Sequence, residues 1–185
     1  RNYFYYPSEI AVLKYCGTTM VKTSALLMCS LSVLFAYKVG LFNIGAAGQY
    51  VIGAGGCLYM ALRFNLPWYI CLIAGVLIAA AVGGISGALK AYLNVNEVIS
   101  CIMLNWISLY IVNMLLTQVK AETTPYTVAL KSGNTSALLP NCGLDGLFAG
   151  NEFVTIGLPL SVLMAVLVWI ILGKTKFGYE LKATG

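Results

Sequence analysis

Histidine is absent from this 185-residue sequence, and charge is scarce: 11 Lys and Arg, 6 Asp and Glu, 9% of the residues, against roughly 25% in soluble domains. Without His there is no imidazole acid/base chemistry and no His metal ligation. So few charges cannot cover the surface of a soluble globule of this size. The net charge of +5 is too dilute for a nucleic-acid patch, so no nucleic-acid partner is expected. The six cysteines (16, 29, 57, 71, 101 and 142) have no CxxC spacing. Most fall in apolar runs, where Cys acts as a small hydrophobe. Cys16 and Cys142 lie outside those runs and could pair where both face an oxidising side. No GxxxxGK[ST] loop, nucleophile elbow, carboxylate pair or metal-ligand spacing occurs. The chain therefore reads as no enzyme, and no cofactor is expected.

What is present is apolar: 60% of residues are hydrophobic, against roughly 45–50% in soluble domains. The few charges punctuate the chain. Lys22 to Lys38 encloses 15 uncharged residues, Lys38 to Arg63 24, Arg63 to Lys90 26, Glu97 to Lys120 22 and Glu152 to Lys174 21. A helix crosses the hydrocarbon with roughly 20 apolar residues. The first gap is short but can borrow Thr18 to Val21, with Lys22 snorkelling to an interface. Five spans follow, about 18–38, 43–62, 67–89, 98–117 and 156–173. Continuous rather than alternating apolar runs select helices over barrel strands. The fold class is all-α, a polytopic membrane helical bundle. Tyr3, Phe4, Tyr5, Tyr6, Trp68 and Tyr69 suit an interfacial belt.

Alternating connectors put Lys38, Lys90, Lys174, Lys176 and Lys182 on one side, and Arg1, Lys14, Lys22, Arg63, Lys120 and Lys131 on the other. Five against six decides nothing. The cluster at Lys174, Lys176 and Lys182 beside the last span favours the first side as cytoplasmic. The connector 118–155 is then external, as a docking surface or a spacer. Its Asn134-Thr135-Ser136 matches a glycosylation pattern, relevant in a eukaryotic secretory context.

In the third span Gly75, Ala79, Gly83 and Gly87 recur every four residues, a smooth stripe for helix packing. The second span opens Gly40-Leu41-Phe42-Asn43-Ile44-Gly45-Ala46-Ala47-Gly48-Gln49, with Gly53, Gly55 and Gly56 after it. Such density marks a tight packing face or a broken, cavity-lining helix. Asn43 and Gln49 need partners in lipid; Gln49 is either interhelical glue or a pathway-lining amide. In the fourth span Asn96 is an N-cap and Glu97 sits at the positive end of the helix dipole. Cys101, Asn105 and Ser108 fall on one face at i, i+4 and i+7, with Asn113 about 80° round from Asn105. With no ionisable group in mid-membrane, a neutral polar solute fits better than a proton or an ion.

These segments resemble a known family. Gly40 to Gln49 is similar to the GLFNIGAEGQ signature of ABC-importer permeases, in the simple-sugar and nucleoside branch of the ribose/branched-chain amino-acid permease family. Asn96 to Ile107 (NEVISCIMLNWI) resembles that branch's NEVISTIMLNxI, and Lys174 to Gly185 (KTKFGYELKATG) its TxFGYELRAVG segment. Ala47, Cys101 and Lys182 depart from the usual Glu, Thr and Arg. The resemblance implies a permease subunit in a bacterial cell (inner) membrane, most consistent with nucleoside import. Simple sugars, branched-chain amino acids or a passive channel are the alternatives. It implies a span before Arg1 and a second half after Gly185. The implied partners are an ATP-binding subunit, a second permease subunit and a solute-binding lipoprotein, besides membrane lipid. The expected substrate pathway is Asn43, Gln49, Asn105 and Ser108. Helix packing is expected at Gly45, Gly48, Gly75, Gly83 and Gly87. Residues 174–185 lead into the cytoplasmic ATPase contact, with Phe177, Gly178 and Glu180 in its coupling.

Overall fold

A computed structural model describes residues 9–119, 130–141 and 143–184. Among them there is helix and no strand. The helices are α1 (Glu9–Lys38), α2 (Ala46–Arg63), α3 (Trp68–Leu93), α4 (Glu97–Thr117), α5 (Leu130–Gly133), α6 (Leu144–Leu147), α7 (Gly157–Lys174) and α8 (Lys176–Thr184), with a 3₁₀ turn at Thr135–Ala137. Four of them, α1, α3, α4 and α7, are long and apolar enough to cross a membrane. Their outer faces carry Ile73, Val76, Leu77, Met103, Trp106, Ile107, Leu163 and Val166, all exposed, while small and polar residues turn inward. Water would penalise that inside-out arrangement; lipid does not. The chain is an all-α, multi-pass membrane protein.

Two boundaries and the status of one span differ from the sequence expectation. α1 starts at Glu9 rather than near residue 18. A lysine marks a membrane boundary without ending a helix, and 30 residues at ~1.5 Å each exceed the ~30 Å hydrocarbon. α2 begins at Ala46, not 43: residues 41–43 are irregular and Gly40 is left-handed (φ 75°). α2 is also the one expected span missing from the four apolar ones. Its 18 residues include Gln49 and four glycines, and seven of them are buried. Packed against α3 and α4, it leaves a narrow exposed face at Ala47, Tyr50 and Ala54. Arg1, Tyr3, Phe4, Tyr5 and Tyr6, and the Cys142 half of the conceivable disulfide, lie outside the described residues.

The described residues form two compact units. One comprises the chain up to Val39 with that from Leu139 onward; the other is Gly40–Leu138. The connector 118–155 is thus divided between them, and one asparagine anchors each part. In the second unit Asn134 is buried. Its Nδ2 donates to the Ala61 and Leu66 carbonyls at 3.0 Å each, and its Oδ1 accepts from the Ser136 N–H and hydroxyl. The nitrogen that a glycan would need is therefore committed to the end of α2. In the first unit Asn151 Nδ2 donates to the Lys14 carbonyl (2.7 Å) and to Thr18 Oγ1 (3.0 Å), and its Oδ1 accepts from the Phe153 N–H. Gly17 makes room, since a Cβ there would lie 3.0 Å from Phe148 Cβ and from Asn151 Nδ2.

α7 turns into α8 at Thr175. The Thr175 hydroxyl donates to the Ile171 carbonyl (2.6 Å) and accepts from the Gly178 N–H (3.1 Å). Gly178 is required: a Cβ would strike the Ile171 carbonyl and lie 2.7 Å from Leu172 Cα.

Replacing Asn134 by Ala strands two buried carbonyls. We expect a loss of ~1–3 kcal/mol, read as a lowered thermal midpoint of the purified protein. An unchanged midpoint refutes the anchoring role.

Candidate functional site

α2 is packed on two faces, each built from small residues. On the first, it runs parallel to α4. A Cβ at Gly45 would lie 3.1 Å from Cys101 Sγ, one at Gly48 2.7 Å from Asn105 Cα, and one at Gly55 2.5 Å from Val112 Cγ1. These α4 residues share the face that periodicity assigns to Cys101, Asn105 and Ser108. On the second face α2 runs antiparallel to α3. A Cβ at Gly53 would lie 3.0 Å from the Gly75 carbonyl and 3.1 Å from Ala79 Cβ, one at Gly56 would crowd Ile78 Cδ1, and Gln49 Nε2 lies 3.2 Å from where a Cβ on Gly83 would be. The α3 stripe stops at Gly83. Among the described residues a Cβ at Gly87 would meet nothing within 4 Å, so the contact with α2 does not extend to Gly87.

The opening of α2 is held by a side chain from another helix. Its N-cap, Gly45, has no side chain to accept from the first-turn N–H groups. Asn105 of α4 does so instead: its Oδ1 accepts from the Gly48 N–H at 2.8 Å, and its Nδ2 donates to the Ile44 carbonyl at 3.2 Å. Both halves of the amide thus clasp the irregular segment to the helix start. Asn43 Nδ2 donates to Gln49 Oε1 (3.4 Å), and Cys101 Sγ approaches Asn43 Oδ1 at 3.9 Å. Asn43, Gln49 and Asn105 therefore gather at one end of unit Gly40–Leu138. All three are half-buried, so each is satisfied within the protein yet reachable from outside it.

Ser108 does not join them. At 1% exposure it is sealed on the α4 face between Asn105 and Val112, both of which touch glycines of α2. Ala47, at the position of the signature's Glu, is exposed on the side of α2 away from Gly48. At the same end of the unit Asn96 caps α4, accepting from the Val98 N–H at 2.9 Å. Glu97 reaches back to Lys90 at 2.8 Å, a bridge between α3 and α4 that dipole arguments did not supply. Asn94, left-handed at φ 51°, closes α3, with the Val95 N–H on the Leu89 carbonyl.

Phe177 is exposed, Gly178 buried and Glu180 exposed on α8; they belong to the other unit. The residues that sequence reasoning missed are Asn134 and Asn151. Each accepts from the N–H two residues on, as Asn96 does, and that local turn is the sequence-level signal that was available.

The cluster contains no titratable group other than the Cys101 thiol. Chemically it offers amide donors and acceptors, backbone carbonyls and a helix N-terminus, suited to hydrogen-bonding a neutral polar molecule. Gly48→Ala drives a methyl into the α4 backbone. It should cost ~1–3 kcal/mol through overpacking and lower the amount of folded protein in the membrane. Gly84→Ala, on open helix surface, should be neutral or raise the thermal midpoint, since Ala is favoured over Gly by ~1 kcal/mol in helices. Equal behaviour of the two variants would refute the close approach.

Comparison with known proteins follows the same segments. The chain is 34% identical to a guanosine ABC transporter permease, NupP, of Bacillus subtilis, over 92% of this chain and 49% of that protein. It is 32% identical to a nucleoside ABC transporter permease, NupB, of Lactococcus lactis, over 96% of this chain and 51% of that protein. A glucose ABC transporter permease of Haloferax volcanii is 29% identical over 90% of this chain and 46% of its own length. The chain thus spans about half the length of these relatives. No solved structure matches it. The family model described as the permease component of the branched-chain amino acid transport system matches residues 15–185. By that match and by the glycine-packed opening of α2, the chain belongs to this permease family.

Proposed function

We propose that the chain forms part of the solute pathway of an ATP-driven importer of nucleosides in a bacterial cell membrane. The observation that carries this is the amide cluster of Asn43, Gln49 and Asn105, set against a glycine-walled helix start in an otherwise apolar unit. A nucleoside is neutral and presents several donors and acceptors, and amides can answer both kinds without a charge to desolvate. The guanosine and nucleoside permeases among the relatives point the same way. A simple sugar is the second reading, favoured by the glucose permease among the relatives; its hydroxyls would meet the same amides.

In this reading the ATPase activity resides in a partner ATP-binding subunit. A second permease subunit completes the pathway, and a solute-binding lipoprotein delivers the solute. Residues 174–185 face the cytoplasm and the connector 118–155 faces outward. α8 projects Phe177, Tyr179 and Glu180 from a corner that Thr175 and Gly178 fix. ATP binding would close the partner and displace α8, shifting the bundle between outward- and inward-facing states through differential affinity.

The test is ATP-dependent uptake of labelled guanosine by cells with and without the full-length gene. Gene-dependent uptake is expected, and Gln49→Ala is expected to lower it about tenfold at unchanged membrane abundance, for loss of ~1.4 kcal/mol of contact. Wild-type uptake at normal abundance removes Gln49 from the pathway. Gene-independent uptake, with gene-dependent uptake of a labelled sugar, selects the second reading. Phe177→Ala should lower substrate-stimulated ATPase in the assembled complex and leave basal ATPase in place. Unchanged stimulation refutes the coupling role of α8.

A further inference from the structure

A groove of about 250 Å³ lies between α1 and α7, in the unit that also contains α8. Its wall is apolar, with Leu31 and Leu34 from α1 and Ala165, Val168 and Leu172 from α7. Trp169 also lines it, and Lys38 and Lys182 line the same groove from the ends of α1 and α8. Two lysines from different helices thus meet one apolar slot where two membrane helices end. Among the described residues neither lysine has an ion-pair partner. Lys174 and Lys176 lie at the α7–α8 corner of the same unit, and Glu180, which has an interaction of its own, is the acidic side chain on α8.

Each lysine taken singly complements the negative end of its own helix. That does not explain why both open onto one slot, nor why the slot is lined by aliphatic side chains and an indole. A solvated basic surface has no apolar wall, and a plain lipid-facing groove has no pair of cations. A ligand that is anionic at one end and aliphatic at the other answers both features. Basic pockets between membrane helices take lipid headgroups in this way, and Trp is favoured at the level where headgroup meets hydrocarbon. We propose that this groove binds an anionic phospholipid, with its phosphate held between Lys38 and Lys182 and an acyl chain along Leu34, Ala165 and Val168. The site is independent of the solute and of the pump's energy source. It requires that the chain be in a membrane.

The full-length polypeptide, purified in detergent, would be given equimolar phosphatidylglycerol and phosphatidylcholine, and the retained lipid counted by native mass spectrometry. Phosphatidylglycerol should be retained in preference. Lys38→Gln with Lys182→Gln should lower its retention on the order of tenfold, while the paired Lys→Arg variant keeps it. Lys174→Gln with Lys176→Gln removes the same charge from side chains that do not line the groove and should change retention little. Equal losses in the two Gln pairs would mean diffuse charge and overturn the site, as would the absence of any lipid preference or retention unaffected by the Lys38 and Lys182 changes. Excess inorganic phosphate should not displace the lipid; full displacement would mean a free-anion site and also overturn the proposal. Should the groove double variant fail to fold, Ala165→Leu decides the matter, since it fills the wall and leaves both lysines. Reduced phosphatidylglycerol retention supports the site and unchanged retention overturns it.

Discussion

Close backbone approach between α2 and its two neighbours is the constraint on which unit Gly40–Leu138 depends. Lipid is as apolar as a leucine side chain, so helices there gain little from hiding hydrophobic surface. They gain from dispersion contacts and from hydrogen bonds that need short separations. The glycines at 45, 48 and 55 allow this toward α4, and those at 53 and 56 toward α3. Asn105 can reach the Gly48 N–H at 2.8 Å because no Cβ keeps the two helices apart. Sterics and polar satisfaction are thus one arrangement: the same residue that admits the neighbouring backbone exposes the N–H that the neighbour caps.

The two faces of α2 also explain its composition. A helix enclosed on two sides has little surface left for lipid, and its sequence is free to be small and polar. α3, α4 and α7 show the opposite balance, with large aliphatic side chains facing outward. The aromatic residues collect where helices turn. Tyr59 packs edge-on to Phe64 and Trp68 edge-on to Tyr69 around the α2–α3 corner. The Tyr59 hydroxyl also donates to Gln118 Oε1 at 3.0 Å, so an interfacial ring ties the ends of α2 and α4 together.

How much of this was legible in the sequence follows from the range of each interaction. Charge gaps located the spans because a charge in hydrocarbon is costly whatever its neighbours. Asn96 was legible as a cap because its partner is two residues away. Helical periodicity placed Asn105 on the right face, but its partner Gly48 is 57 residues earlier, and no local rule links them. Ser108 shared that face and yet ended up sealed, because depth along a helix contact depends on the partner's side chains. Asn134 and Asn151 each accept from the N–H two residues on, a local turn of the kind a sequence can signal. What the sequence could not show is that the other end of each amide reaches a helix 73 and 137 residues away, respectively. α2 failed the simple apolar count because it is enclosed, a property of the fold rather than of its own residues.

The corner between α7 and α8 has a mechanical consequence. Thr175 bonds to residues on both sides of the bend, and at Gly178 the α8 backbone rests directly against Ile171 and Leu172. With no side chain between the two backbones to compress, the joint has little slack. A load on the outer face of α8, at Phe177 or Tyr179, is therefore not absorbed by bending. In the proposed coupling it would pass as torque along α7, as through a crank welded to its shaft, and on toward α1, against which α7 packs. A nine-residue helix of modest hydropathy can in this way turn a membrane helix twice its length.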